Sequence, residues 1–163
     1  MLDKRILEEL KNYVSKHITV TEFSLREAEA VFSPDIMKEE DLENYISAKR
    51  SASFAEVLFR FIDYKGYTDS DVYKKAGIDR KHFSKIRTNP AYRISKSSAV
   101  SLSIALKLNK KETEKLLHSA GFSLSNNDTF DLIIQFCLEQ EIYDIDYVNQ
   151  ALDQFDLKPL ISL

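Results

Sequence analysis

Glycine and proline are scarce in this chain, three of each among 163 residues, and there is no tryptophan and a single cysteine. A β-sandwich or barrel needs turn residues every few strands, so this scarcity argues for helices. Cys137 alone excludes an internal disulfide and fits a reducing compartment, with the cytoplasm as the default. The longest apolar runs, such as FDLIIQFCL, fall far short of the roughly 20 residues that span a bilayer, so no membrane partner is expected. The opening MLDKRILEEL carries charge inside its first turn and lacks the apolar stretch of an export signal. The groups that chemistry needs are also missing. His17, His82 and His118 lack the spacing of zinc ligands, and Asp144 and Asp146 lack the glycine-containing acidic loop of a calcium site. No glycine-rich phosphate loop, Ser–His–Asp set or Cys–His pair occurs. The close carboxylates of DLENYISAKR and EEDLE fit charged helix faces better than a catalytic pair, which needs a pocket. No catalytic residue, cofactor or metal is therefore expected, and no enzyme.

Positive charge, by contrast, is concentrated. Between Lys74 and Lys96 there are eight Lys or Arg against one acid, Asp79, a local balance of +7 in a chain that totals −3. Everything outside that stretch therefore sums to −10. A solvated helix face usually intersperses acids among its bases, as KKETEKLL does; here they are absent. Such a segment either faces water or meets a polyanion. The chain length allows one domain with a real core and extensions. A 44% apolar content with both signs of charge fits a folded protein, not a disordered one.

Hydrophobic spacing predicts helices along most of the chain. SFAEVLFRFIDYKG opens with Ser53 three residues before Glu56, a capping-box spacing, and closes at Gly66. TDSDVYKKAGI reads as a short helix capped by Thr68 and turning at Gly77. DRKHFSKIRTN is a second short helix, capped by Asp79 and broken by Asn89-Pro90. AVSLSIALKL alternates like a strand, but its continuous apolar run favours a buried helix capped by Ser95. KKETEKLLHSAG ends at Gly121. TFDLIIQFCLEQ and IDYVNQALDQF are amphipathic through Phe130, Ile133, Ile134 and Cys137, and through Tyr147, Val148, Ala151, Leu152 and Phe155. In the first 50 residues, LDKRILEELKNYV reads as a helix and HITVTEF as an extended connector. SPDIMKEEDLENYI reads as a helix with Ser33 as its cap and Pro34 at its first position.

Two helices that close on one another across a glycine turn need apolar residues at fixed offsets. With Gly77 as the turn, those offsets fall on Val72, Ala76, Ile78, Phe83 and Ile86, all apolar. This pattern resembles the helix-turn-helix of the lambda-repressor-like (Xre-type) family. The resemblance extends through the preceding helix, the Pro-containing loop and SIALKLN, covering roughly residues 53–120. SFAEVLFRFID, DVYKKAGIDRKHFSKIRTNPAYRISK, LLHSAGFSLS and FDLIIQFCLEQEIYDI further resemble a bacterial helix-turn-helix family of undefined function, some of whose members are joined to macro domains. No macro domain is present here.

The resemblance implies an all-α fold, a lambda-repressor-like bundle extended by N- and C-terminal helices, that binds double-stranded DNA as a transcriptional regulator. It places the second helix of the pair in the major groove, with Asp79 at its start and Arg80, Lys81, Ser84, Lys85 and Thr88 facing base edges. Arg87, Asn89, Tyr92, Arg93 and Lys96 would contact phosphate, positioning without specifying. Two departures weigh against groove binding. Asp69 stands where a phosphate-touching glutamine is frequent and is followed by Asp71, and carboxylates there would repel the backbone. Tyr73 replaces a small residue and should alter how the two helices pack. The competing expectation is a protein-interaction adaptor that keeps the fold without the DNA, docking an acidic protein partner. The apolar C-terminal region either packs internally or joins two copies in a homodimer. The expected organisation is an arm over 1–50, the helix-turn-helix domain over 51–125 and C-terminal helices over 126–163.

Overall fold

Seven consecutive helices each begin on a polar side chain that accepts a hydrogen bond from the backbone of its own first turn. They are seen in a computed structural model, which describes residues 5, 6, 8–10, 12, 13 and 38–161. The caps are Ser53, Thr68, Asp79, Ser95, Asn109, Asp128 and Asp144. Each satisfies a backbone N–H that the helix leaves without an internal partner. Numbering from a helix nearer the N-terminus, the elements are α1 (Glu39–Lys49), α2 (Phe54–Lys65), α3 (Asp69–Ala76) and α4 (Arg80–Thr88). They continue with α5 (Lys96–Ala105), α6 (Lys110–Ser119), α7 (Thr129–Glu139) and α8 (Ile145–Asp153). The described residues contain no strand. The fold class is all-α.

Helix ends are equally uniform. At α2, α3, α5, α6, α7 and α8 the chain leaves through one left-handed residue: Gly66, Gly77, Lys107, Gly121, Glu141 and Asp156 respectively. In each case the following residue returns a backbone N–H to a carbonyl five positions earlier, as Ile78 does to Tyr73 at 2.9 Å. That following residue is always apolar: Tyr67, Ile78, Leu108, Phe122, Ile142 and Leu157. It therefore supplies the hydrophobic contact that accompanies this terminus. Two joints consist of nothing more than the left-handed residue, the apolar residue and the next cap, Gly66-Tyr67-Thr68 and Gly77-Ile78-Asp79; Lys107-Leu108-Asn109 differs by the extra Leu106 before it. Among the seven capped helices only α4 stops differently. Asn89 takes an extended conformation (φ −114°, ψ 101°), as a residue before proline prefers.

The chain divides into two compact units, Met1–Arg50 and Ser51–Leu163. In the first, the described residues between 5 and 13 are helical, and α1 opens at Glu39 with Lys38 in the cap position and no capping side chain. The expected cap Ser33 and Pro34 lie outside the described residues, as do HITVTEF and His17.

The second unit is organised around α5. Every residue from Ala99 to Leu106 is buried. Helix α3 makes the most extensive packing against α5, followed by α6, and α8 also touches it. Around this axis α2 lies on α6, and α7 pairs with α8. One core runs from Val57 and Leu58 through Leu102, Ile104 and Leu117 to Ile134, Val148, Leu152 and Leu160, so residues 51–125 and 126–163 share it. The strand-like alternation in AVSLSIALKL has a helical explanation. The Ser101 and Ser103 hydroxyls donate to the carbonyls of Ser97 and Ala99, one turn back, at 3.0 and 2.9 Å. Small back-bonded serines thus fill interior positions that a helix normally gives to apolar residues.

The C-terminal apolar residues separate into two sets. Ile134, Cys137, Leu138, Val148, Leu152 and Leu160 are buried, whereas Leu132, Phe136, Tyr147 and Phe155 are exposed. Burial pushes the Cys137 thiol above its ordinary pKa, which makes it a core residue and not a reactive one. The segment after α8 folds back on the core. The Leu160 N–H donates to Asn149 Oδ1 at 2.8 Å, and the Ile161 side chain lies against Gly77.

Candidate nucleic-acid interface

The joint between α3 and α4 brings the basic stretch onto a rigid base. Gly77 sits at φ 67°, ψ 26°, where a side chain would be strained. Val72, Ala76, Ile78, Phe83 and Ile86, the five positions needed to close two helices across that turn, are all buried. Tyr73 is accommodated by stacking, its ring tilted against Phe83 at 5.5 Å, while Phe59 of α2 meets the same ring edge-on at 5.8 Å. Successive residues of a helix turn by about 100°, so with Phe83 and Ile86 inward the opposite arc of α4 carries Arg80, Lys81, Ser84, Lys85 and Thr88. All five are exposed. The Thr88 hydroxyl donates to the Ser84 carbonyl at 2.9 Å. The Asp79 carboxylate accepts from the Lys81 N–H at 3.0 Å, so the one acid of the segment is used as a cap.

Both edges of this arc are fixed by side-chain pairs. On the α3 edge, the Arg87 guanidinium is ion-paired with Asp69 and lies 4.1 Å over the Phe59 ring. This changes two expectations together. Asp69 is not an isolated carboxylate, because it faces a cation, and Arg87 is not a free cation, because it is held on two sides. A shallow cleft of about 320 Å³ runs along this edge between Asp69, Ser70, Tyr73, Arg80, Ser84 and Arg87. On the other edge His82 and the loop residue Tyr92 are joined by a 3.2 Å hydrogen bond and an edge-to-face ring contact.

The remaining predicted residues divide in the same manner. Asn89 and Arg93 are exposed, and Asn89 Oδ1 accepts from the Ala91 N–H at 3.0 Å, shaping the loop. Lys96 is half-buried. Its ammonium is 2.7 Å from Asp131 Oδ1 and 2.9 Å from Oδ2, and that carboxylate also accepts from the Ser125 N–H at 2.8 Å. Asp131 is 2% exposed, so Lys96 serves to neutralise a buried acid and tie α5 to α7. Nothing local announces this partner: Asp131 stands 35 residues from Lys96 and reads as an ordinary first-turn acid of its own helix. Asp71 also differs from expectation. Its carboxylate accepts from the Thr68 hydroxyl at 2.7 Å and the Thr68 N–H at 3.4 Å, a reciprocal capping box. The hydroxyl bond first, then the backbone bond, with smaller help from Lys75 and Lys74, hold it below the usual carboxylate range.

Of the eight cations in the stretch, six therefore remain exposed without an acidic partner at these pairs: Lys74, Lys75, Arg80, Lys81, Lys85 and Arg93. Lys75 lies 5.0 Å over the Tyr67 ring. No group of acids, histidines and cysteine suited to a metal ion occurs among the described residues, and no helix there is long and apolar enough to cross a membrane. No protein-family model, curated protein or solved structure matches the chain.

Proposed function

We propose that this chain is a non-enzymatic, cytoplasmic DNA-binding regulator whose α3 and α4 form a lambda-repressor-like helix-turn-helix. The observation that carries the reading is the outward arc of α4, where Arg80, Lys81, Ser84, Lys85 and Thr88 stand exposed above a buried inner face. Arg and Lys match the O6 and N7 acceptors of guanine, and Ser or Thr can accept from or donate to either base edge. In this reading Arg93 and Asn89, exposed on the following loop, meet phosphate beside the groove. Binding to random duplex should weaken with salt, the logarithm of the affinity falling by about 0.9 per neutralised phosphate for each unit of log salt. Lys85→Ala should cost about 1–3 kcal/mol on a selected site only, whereas Arg93→Ala should weaken all duplexes alike and flatten the salt slope by about one. Protection footprinting on the selected site shows whether one copy or a two-fold pair binds.

A second reading has its own support. Arg87 and Lys96 are neutralised within the chain, and the three-residue turn at Gly77 recurs at Gly66, where the helix that follows opens on the acids Asp69 and Asp71. The turn by itself therefore marks a way of joining helices, not a DNA reader. Absence of duplex binding at the lowest salt would assign the arc to an acidic protein surface instead.

A further inference from the structure

We propose that Asp69 sets the affinity of the α4 face by withholding Arg87 from nucleic-acid phosphate. The inference deepens the duplex-binding reading and rests on it. Arg87 occupies the last turn of α4 with about half of its side chain in solvent, beside Arg80 and Ser84 on the same cleft. A guanidinium there offers five N–H donors in a planar fork, the geometry best matched to a phosphate. Two contacts from other helices hold it elsewhere. Phe59 of α2 supports the guanidinium from one face, and Asp69 of α3, 18 residues away, accepts a hydrogen bond from its Nη2. Asp69 acts twice, because it engages Nη2 and also sets a negative charge beside the place where a phosphate would dock.

No other carboxylate stands in this position. Asp79 caps α4, and Asp71 closes the capping box with Thr68, so each already accepts hydrogen bonds at the start of its own helix. Thr68, not Asp69, is the α3 cap, and the helix therefore keeps its start when Asp69 is changed. Asp69 is thus free of a capping duty, and its side-chain partner is an arginine of the basic face. The consequence is a face whose non-specific grip is held down, which leaves discrimination to Arg80, Lys81, Ser84 and Lys85.

The test is a salt titration of random-duplex binding by the full chain carrying Asp69→Asn, with Asp69→Ser as a second variant and circular dichroism to check folding. Releasing one arginine should tighten binding roughly five- to ten-fold near 0.1 M salt and steepen the log–log slope by about 0.9. Arg87→Ala alone should leave affinity within about two-fold of the parent, and placed in the Asp69→Asn background it should remove the gain. If the parent binds and Asp69→Asn gives the same affinity and slope, the restraint does not exist while duplex binding stands. The inference is equally overturned if Arg87→Ala weakens the parent as much as Arg93→Ala does, since Arg87 would then already be on phosphate. If neither the parent nor the Asp69 variants bind duplex at the lowest salt, the duplex-binding reading itself fails and carries this inference with it.

Discussion

Replacing Gly77 by alanine combines two costs that its sister glycines keep apart. Gly66, Gly77 and Gly121 all sit in the left-handed region, at φ 72°, 67° and 83°. A Cβ in that conformation costs about 1–2 kcal/mol, of which about 0.4–1 returns because alanine restricts the unfolded chain more than glycine does. At Gly66 and Gly121 nothing lies within 4 Å of the added carbon, so those substitutions should cost about 1 kcal/mol each. At Gly77 the new methyl would collide with the Ile161 side chain, which must move. Crowding a packed site costs about 1–3 kcal/mol, and the low end applies because the obstacle is the tip of a flexible side chain. Gly77→Ala should therefore lose about 2 kcal/mol in total, a fall in Tm of about 4–8 °C for a chain of this size. Urea unfolding followed by far-ultraviolet circular dichroism measures all three variants. Ile161→Ala, added to each, completes a double-mutant cycle in which only the Gly77 pair should couple, by about 1 kcal/mol. Equal losses at Gly77 and Gly66, with no coupling to Ile161, would show that the tail does not rest on this turn.

Three further outcomes can be measured. Lys107→Gly, Glu141→Gly and Asp156→Gly should each stabilise the fold by about 0.5–1 kcal/mol, seen as higher urea midpoints, because they relieve a left-handed side chain. Lys96→Ala should destabilise by about 3 kcal/mol, since it leaves the Asp131 carboxylate buried without its cation, and Lys96→Ala with Asp131→Leu should recover most of the loss. Asp71 has a depressed folded pKa, so its stabilising contribution is complete above the unfolded carboxylate value near 3.8 and is lost as pH falls through the folded one. Asp71→Asn should accordingly flatten the acid limb of the stability–pH curve below the unfolded carboxylate value near 3.8 without changing its neutral-pH slope.

Helix starts were legible from sequence because a cap is a local event: Ser53, Thr68, Asp79, Ser95 and Asp144 each act within three residues of themselves. The same locality made Gly66, Gly77 and Gly121 readable as exits. Lys107, Glu141 and Asp156 make the identical exit without glycine, held by the apolar residue that follows and by the helices it packs on, so composition gives no sign of them. Charge was legible as a total but not as an availability. Arg87 and Lys96 counted as free cations until Asp69, 18 residues off, and Asp131, 35 residues off, were in place. Helical spacing likewise showed that Tyr147, Ala151 and Phe155 share a stripe. It carried no information on whether a neighbour covers that stripe, and Tyr147 and Phe155 remain in solvent. The outward arc of α4 was readable because the buried positions of one short helix determine which residues are left over.

Past its first turn, helix α5 has no outside. Its side chains from Ala99 onward are spent entirely on other helices of the same unit, and its serines satisfy their hydroxyls against its own backbone. Every property that a ligand, a duplex or a second protein can sense is thus carried by the shell of helices wound about this axle. The exterior of the unit can be rewritten in charge and shape, by selection or by design, while the hub that keeps its register stays untouched.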